Sequence, residues 1–172
     1  MYKYLFSLLL FFSFSTMIYS QDMDAVSMET KYKMAYNEVL NALLSGNTND
    51  LAKYISPDFI EHDPSPAMST KTGLDRIKED FAVYHKAIPD MKAKVHSIAV
   101  SGDMLFAYLT FTGTTAEPFM GMPAGHKMTM NSVDLIRFKG DMAVEHWGFT
   151  SNEDIMKMMQ QEKSMQGGMD KK

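Results

Sequence analysis

The sequence contains no cysteine, and this absence excludes several kinds of protein at once. Disulfide-stabilised folds, cysteine zinc sites, thiolate enzymes and cysteine-linked lipid anchors all require the missing side chain. Stability must therefore come from an ordinary apolar core. The sequence has 172 residues. About 150 residues can already bury roughly two thirds of the surface that the unfolded chain exposes, which suffices for one independently folding domain.

A large excess of charge is also missing. The chain has 17 basic and 21 acidic side chains. Removal of residues 1–20 would take away Lys3 and no acidic residue, which leaves a net charge of −5. Proteins that bind nucleic acid need a basic surface. No nucleic-acid partner is therefore expected.

Long apolar runs are confined to the N-terminus. Lys3 precedes a dense apolar run over residues 5–14, and Ser20 with Gln21 forms a suitable cleavage point. This arrangement is typical of a secretory signal peptide. The run is shorter than the ~20 apolar residues that span a bilayer. We predict a signal peptide over residues 1–20, export to the periplasm or beyond the cell, and no stable membrane anchor after cleavage. An uncleaved anchor is the alternative.

The rest of the chain forms one predicted domain. A polar leader over residues 21–29 precedes it, the domain covers residues 30–163, and residues 164–172 form a flexible tail. Apolar spacing predicts helices at about 30–45, 51–56, 74–88 and 152–163, and extended segments at 58–63, 91–100 (with a bulge), 104–114 and 131–151. Helices followed by a run of strands predict an α+β fold, with the N-terminal helices packed on a strongly curved antiparallel sheet.

The hairpin over residues 131–151 carries the clearest chemical signal. Its two strands meet at a tight turn around Gly140. Because side chains alternate along a strand, Asp134 shares a face with Ser132. The same rule gives His146 three neighbours on its own face: Met142, Val144 and Gly148. If the two faces coincide, a carboxylate and an imidazole enter one cavity, so Asp134 and His146 are the predicted catalytic residues.

Five short motifs occur in the order seen in SnoaL-like polyketide cyclases: ISPDF at 55–59, IPDM at 88–91, FMGMPAGHK at 119–127, VDLIRF at 133–138 and EHW at 145–147. The chain resembles this family from about Tyr36 to Ile155. The resemblance implies the cone-shaped α+β barrel of the nuclear transport factor 2-like superfamily, with an apolar pocket inside the sheet. It also implies ring closure by aldol condensation without metal or organic cofactor, with an aspartate on the last strand moving the proton.

The sequence differs from the family at the positions where, by the resemblance, the catalytic residues of the family fall. The catalytic aspartate of the family falls at Gly148, and a histidine used by family cyclases falls at Asp134. A pocket tyrosine of the family falls near Leu43, with Tyr36 one to two turns away. Loss of a general base typically costs about 10²–10⁴ in rate. Two functions stay open: an enzyme that transfers protons on a small apolar carbonyl compound, and a binding protein that keeps the pocket without the catalysis.

Each candidate residue has a functional and a structural interpretation. Asp134 is either a pocket base whose pKa is raised by burial or a buried carboxylate paired with Arg137 or a backbone amide. His146 is either a hydrogen-bonding partner in catalysis or a histidine of the pocket wall. His62 lies either at the pocket mouth or in a loop that it caps. The predicted substrate-binding residues are His62, Tyr36, Phe119, Met122, Met130 and Ser132.

The chain has 18 methionines, several of them in close pairs. Thioether clusters in an exported protein can favour Cu(I). The pairs lie on separate predicted elements, however, so we interpret them as flexible apolar side chains that fill an adaptable pocket. The histidines show no compact ligand spacing. No metal and no cofactor are therefore expected.

The outer face of the hairpin is also apolar. Val133, Leu135 and Trp147 point away from the face of Asp134 and His146. An apolar outer sheet surface either packs on helices or meets another subunit. The family resemblance implies dimerisation through this face, so a homodimer is the predicted assembly.

Overall fold

The computed structural model describes residues 28–154 and residue 156. The predicted signal peptide, most of the predicted leader, the tail and most of the predicted closing helix lie outside these residues. The elements, in chain order, are α1 (28–45), a 3-10 turn at Leu51–Lys53, β1 (Ile55–Glu61), α2 (Gly73–Ala87), β2 (Lys92–Ser101), β3 (Met104–Thr114), β4 (Lys127–Lys139) and β5 (Met142–Thr150). Residues 152–154 and 156 are helical.

Helix α1 buries one stripe of side chains against the sheet. Tyr32, Ala35 and Tyr36 are each less than 5% exposed, at the three- and four-residue steps that place side chains on one helix face. The helix stops before Gly46, whose φ of +71° is the left-handed conformation typical of a helix end. Tyr36 thereby faces the concave side of the sheet.

Helix α2 starts in very close contact with β1. The backbone of Gly73 has a φ of +61°, and a Cβ built there would lie 1.8 Å from the carbonyl oxygen of Pro57. Only glycine permits this approach. It places the first turn of α2 against the first half of β1.

The five strands form one sheet in the order β1-β5-β4-β3-β2. The predicted α+β fold is confirmed, but the sheet is not wholly antiparallel, because β1 pairs with β5 in parallel. The prediction of a helix over residues 51–56 was wrong beyond one 3-10 turn, since Ile55 pairs with Ala143 at the start of β1. This pairing is a long-range contact that local apolar spacing cannot register.

Register shifts interrupt the strand pairing in three places of the described sheet, and two of them concern predictions made from the sequence. The predicted bulge in β2 is confirmed, with a register shift between Val95 and Ser97. A second shift lies in the hairpin, where Arg137 pairs with Glu145 and Phe138 with Ala143, so that one residue of β5 is extra. The prediction that Met142 and Val144 share the face of His146 was therefore wrong. Ala143 takes that place on the concave face.

The helices cover the concave face of the sheet and leave a cavity between them. Buried side chains of α1 and α2 form one core cluster with β3, β4 and β5, including Ile77, Leu105 and Phe138. A second cluster around Leu109 and Met128 closes the other end. Within the part of the chain that the structure describes, no helix is both long and apolar enough to cross a membrane.

Candidate functional site

A cavity of about 580 Å³ lies between the helices and the concave face of the sheet. Its walls are mostly apolar and are supplied by α1, α2, the strands and the loop between β3 and β4. This volume falls within the range of small-molecule sites, which are typically apolar hollows with a few convergent polar groups. The polar and ionisable side chains in its lining are Tyr36, Glu61, Asp63, Asp80, Tyr84, Ser132, Asp134, His146 and Thr150.

Asp134 and His146 do share one face of the hairpin. Asp134 pairs with Gly148 and Ile136 pairs with His146, so the two side chains are diagonal neighbours on the concave side. The Nε2 atom of His146 lies 3.8 Å from Oδ1 of Asp134. The structure therefore brings the predicted carboxylate and imidazole together in one cavity. Their catalytic role stays a prediction.

Glu61 completes an ion pair with His146. The parallel pairing of β1 and β5 sets Glu61 directly opposite His146, and Nδ1 of the imidazole donates to Oε2 of Glu61 at 2.8 Å. Burial alone lowers the pKa of His146, but the carboxylates of Asp134 and Glu61 more than reverse this effect and raise the pKa to about 10. His146 is consequently an imidazolium at neutral pH.

Asp134 is held by hydroxyl groups rather than by the predicted partners. The hydroxyl of Tyr36 donates to its Oδ2 at 2.9 Å, and that of Ser132 donates to its Oδ1 at 3.1 Å. Burial and the negative charge of Asp134 raise the pKa of Tyr36. Arg137, predicted as a possible partner, instead donates to Glu145 at 3.0 Å. Both oxygens of Asp134 therefore already accept a hydrogen bond.

Asp63 occupies space next to Gly148. The backbone N–H of Gly148 donates to Oδ1 of Asp63 at 3.2 Å. A Cβ built on Gly148 would lie 2.2 Å from Oδ2 of Asp63. Burial raises the pKa of Asp63, an effect that the Gly148 N–H opposes and the negative charge of Glu61 reinforces. Besides Asp134 and Glu61, a further carboxylate thus enters the cavity from beyond the end of β1.

Arg76 of α2 fixes the backbone that carries these carboxylates. Its guanidinium donates to the carbonyl oxygen of Glu61 at 2.9 Å and to that of Asp63, while Nε contacts Asp80 at 3.2 Å. Asp80 is only 4% exposed and also accepts a hydrogen bond from Ser65. The arginine charge is therefore matched by Asp80. Arg76 therefore positions Glu61 and Asp63 through their backbone carbonyl groups, without contacting their carboxylates.

Glu61 and Asp63 were not among the site residues predicted from the sequence. The signal was the alternation of Phe59, Glu61 and Asp63 on one side of an extended segment. The same alternation turns His62 outward, so its predicted position at the pocket mouth was wrong. Its ring stacks on Trp147 at 4.4 Å, on the convex face of the sheet.

The other predicted binding residues lie where the cavity can use them. Phe119, Met122, Met130 and Ser132 all line the cavity, as does Tyr36. The contact of these side chains with a ligand stays a prediction. Met91 and the methionine pairs 120/122 and 128/130 all line the cavity. Unbranched thioether side chains there can adapt to ligands of different shape.

Glu61, Asp63 and His146 are also close enough together to be considered for a metal ion, since one ligand atom from each lies within 4.8 Å of the others. An imidazole must be deprotonated to bind a metal. The raised pKa of His146 and its hydrogen bond to Glu61 oppose this. The cluster is therefore better suited to hold a proton than a cation, and the absence of a metal stays a prediction.

The convex face of the sheet carries exposed apolar side chains near the predicted interface residues. Four large ones are between 37% and 54% exposed: Phe106, Tyr108, Val133 and Phe149. Tyr108 pairs with Val133, and Val133 pairs with Phe149 on the next strand. Phe106 lies two residues before Tyr108 and therefore on the same face of β3. We call these four residues the convex patch.

Comparisons with known proteins agree with this architecture. The family model for SnoaL-like polyketide cyclases matches residues 32–162. Among solved structures, TsrD from Streptomyces laurentii superposes with a TM-score of 0.66 at 18% identity, covering 75% of this chain and 94% of TsrD. IdmH from Streptomyces antibioticus gives 0.62 at 24% identity, covering 74% of this chain and 97% of IdmH.

A SnoaL-like polyketide cyclase from Agrobacterium tumefaciens also gives a TM-score of 0.62, at 16% identity, with 74% of this chain and 97% of that protein covered. No curated protein sequence matches the chain significantly. The identities to the solved structures are low and establish the fold. The family model matches most of the chain, and so the chain belongs to the SnoaL-like polyketide cyclase family.

Proposed function

We propose that this protein binds a small apolar carbonyl compound in its cavity and transfers a proton on it without metal or organic cofactor. One observation carries the proposal: an imidazolium flanked by carboxylates lies in the wall of a mostly apolar cavity. Ionic groups are costly to bury, and their concentration in a ligand-sized cavity is typical of sites that perform chemistry.

The geometry supports different roles for the imidazolium and the carboxylates. The Nε2–H of His146 lies beyond hydrogen-bond distance from Asp134, so it can donate to the carbonyl oxygen of a ligand. A carboxylate of the cluster then removes a proton from the carbon next to the carbonyl. The C–H electron pair moves to the oxygen as an enolate forms, and the imidazolium stabilises this negative charge.

A binding protein without catalysis is the second candidate. By the family resemblance, the catalytic aspartate falls at Gly148, which has no side chain. In addition, both oxygens of Asp134, the base expected from the sequence, already accept hydrogen bonds. These observations favour binding alone unless another carboxylate of the cavity accepts the proton.

A deuterium-exchange assay separates the two candidates. The probe is 2-tetralone, an apolar ketone whose protons next to the carbonyl exchange with D₂O through an enolate. We expect the protein, dialysed against a chelator, to bind the ketone and to accelerate exchange measured by proton NMR. His146→Gln should reduce the acceleration by about 100-fold, because the group that stabilises the enolate charge is lost.

Each outcome of this assay supports or contradicts at least one of the candidates. Binding observed by saturation-transfer NMR, with exchange no faster than in buffer, would leave only the binding protein. Activity that disappears on dialysis and returns with a divalent metal would contradict the cofactor-free proposal. A ketone that does not bind would count against both candidates. His96→Gln, on the exposed convex side, is the matched control and should leave exchange unchanged.

We further propose that the protein is exported after cleavage at residue 20, to the periplasm or outside the cell.

We also propose that two copies of the protein associate through the convex patch. The exposed aromatic and β-branched side chains of the patch support this proposal, because water contact at such a surface is unfavourable.

Phe149→Lys is expected to convert a dimer into a monomer, because it buries a charge in the proposed interface. Sedimentation velocity at micromolar concentration measures the change. Met68→Lys, which replaces an apolar side chain that is 87% exposed elsewhere, is the control. A wild-type protein that sediments as a monomer would contradict the proposal.

A further inference from the structure

We propose that Asp63 is the catalytic base of this site, and that Gly148 lacks a side chain in order to admit it. The inference rests on the proposed function and specifies which carboxylate takes the proton. It concerns a residue that comes from beyond the end of β1, whereas the carboxylate expected from the sequence lies on β4.

Gly148 is required for space and not for backbone conformation. Its φ lies outside the left-handed region that glycine alone adopts readily, so an ordinary residue could follow the same backbone path. A Cβ there would nevertheless lie 2.2 Å from Oδ2 of Asp63 and 3.6 Å from the imidazole of His146. The volume that a side chain at this position would fill is taken by the carboxylate of Asp63.

Asp63 is also held in place from two sides. The N–H of Gly148 donates to Oδ1, which fixes the carboxyl group, and Arg76 donates to the carbonyl oxygen of Asp63, which fixes its backbone. A base held by its neighbours before the ligand arrives loses little entropy when it reacts. The position of Asp63 is therefore built by β5 and α2 together.

The other carboxylates of the cavity are occupied. Both oxygens of Glu61 lie within hydrogen-bond distance of Nδ1 of His146. Both oxygens of Asp134 accept hydroxyl hydrogen bonds, and Asp80 is paired with Arg76 and Ser65.

Oδ2 of Asp63 is different, since no donor among residues 28–154 and 156 lies within hydrogen-bond distance of it. It can accept a proton without breaking an existing contact. Burial raises the pKa of Asp63, which brings it closer to the value at which a general base works at neutral pH.

The proton and the electrons balance within the site. Oδ2 of Asp63 forms a bond to the proton next to the ligand carbonyl, and the C–H electron pair becomes the enolate. The enolate oxygen accepts a hydrogen bond from Nε2 of His146. Return of this proton from Asp63 to carbon regenerates the carboxylate. If the carboxyl group first exchanges its proton with D₂O, deuterium is delivered to carbon instead.

The first test compares single variants in the 2-tetralone exchange assay. Asp63→Asn keeps the shape of the side chain and removes the base, and should slow exchange at least 100-fold while the ketone still binds. Asp58→Asn, on the exposed side of β1, is the matched control and should exchange at the wild-type rate. An Asp63→Asn protein that keeps more than about one tenth of the wild-type rate would overturn the inference.

The second test moves the carboxylate. Gly148→Ala should displace the carboxylate of Asp63 and slow exchange, although every ionisable group is retained. If Asp63→Asn does not fold, this variant tests whether Asp63 is the base. The double variant Asp63→Gly/Gly148→Asp should exchange at least tenfold faster than the single variant Asp63→Gly. Absence of this recovery, with a folded protein, would contradict the catalytic assignment.

These outcomes distinguish the inference from the proposed function. Wild-type protein without accelerated exchange would refute the enzymatic function itself. Wild-type exchange that Asp134→Asn abolishes and Asp63→Asn does not would refute only the assignment of Asp63, and would return the base to Asp134.

Discussion

Replacement of His146 by glutamine is expected to lower the free energy of unfolding by about 3–5 kcal/mol near pH 7, because it leaves buried carboxylates without their counter-ion. The imidazolium lies 2.8 Å from Glu61 and 3.8 Å from Asp134, and its side chain is 21% exposed. Glutamine can still donate one hydrogen bond but brings no positive charge. Urea denaturation of the folded monomer or dimer, at fixed protein concentration, measures the loss.

A second substitution tests whether charge causes this loss. Adding Glu61→Gln to His146→Gln removes one of the unpaired carboxylates and should recover at least about 1 kcal/mol of it. His96→Gln changes an exposed histidine of the convex side and should shift stability by less than about 0.5 kcal/mol. A His146→Gln protein as stable as the wild type would show that the buried ion pair contributes no net stability.

Stability is also expected to fall as the pH rises from about 7 to 9. The pKa of His146 is about 10 in the folded protein and near its ordinary value of 6.5 in the unfolded chain. Below pH 6.5 both states carry the proton, so the contribution to stability is fully present. Between the two pKa values the folded state holds a proton that the unfolded state has lost, and each pH unit costs up to about 1.4 kcal/mol. The contribution is lost once the pH exceeds 10.

Over two pH units this predicts a loss of roughly 2–3 kcal/mol in the wild-type protein. The same measurement on His146→Gln isolates the part that belongs to His146, since every other titrating group is common to both proteins. The difference between the two proteins should shrink steadily with rising pH. A difference that stays constant from pH 7 to pH 9 would contradict the raised pKa.

Several elements of the fold followed from local patterns. Strand β3 was predicted over residues 104–114 and is observed at Met104–Thr114, and α2 differs from its prediction by one residue at each end. Both predictions rest on apolar spacing within one segment. The short segment before Pro57 was predicted as a helix and became strand, because its pairing partner Ala143 lies almost 90 residues away.

The candidate site, too, could be predicted only where it depends on patterns within one segment. Alternation along one hairpin placed Asp134 and His146 on a common face, since both belong to strands joined by a short turn. Glu61 was missed because its contact with His146 depends on the parallel pairing of β1 with β5. His62 was predicted to bind the substrate, whereas the alternation that continues from β1 turns it to the convex face, where it stacks on Trp147.

The sequence by itself determined the family, the α+β architecture and the hairpin that carries an aspartate and a histidine, because these depend on periodicities and motifs within short segments. Only the tertiary structure decided which carboxylates meet the imidazole, and that the space beside Gly148 holds Asp63. The physical reason is that a strand's own pattern fixes which way its side chains point. It does not fix which distant strand lies next to it, and the electrostatics of this cavity are set by that neighbour.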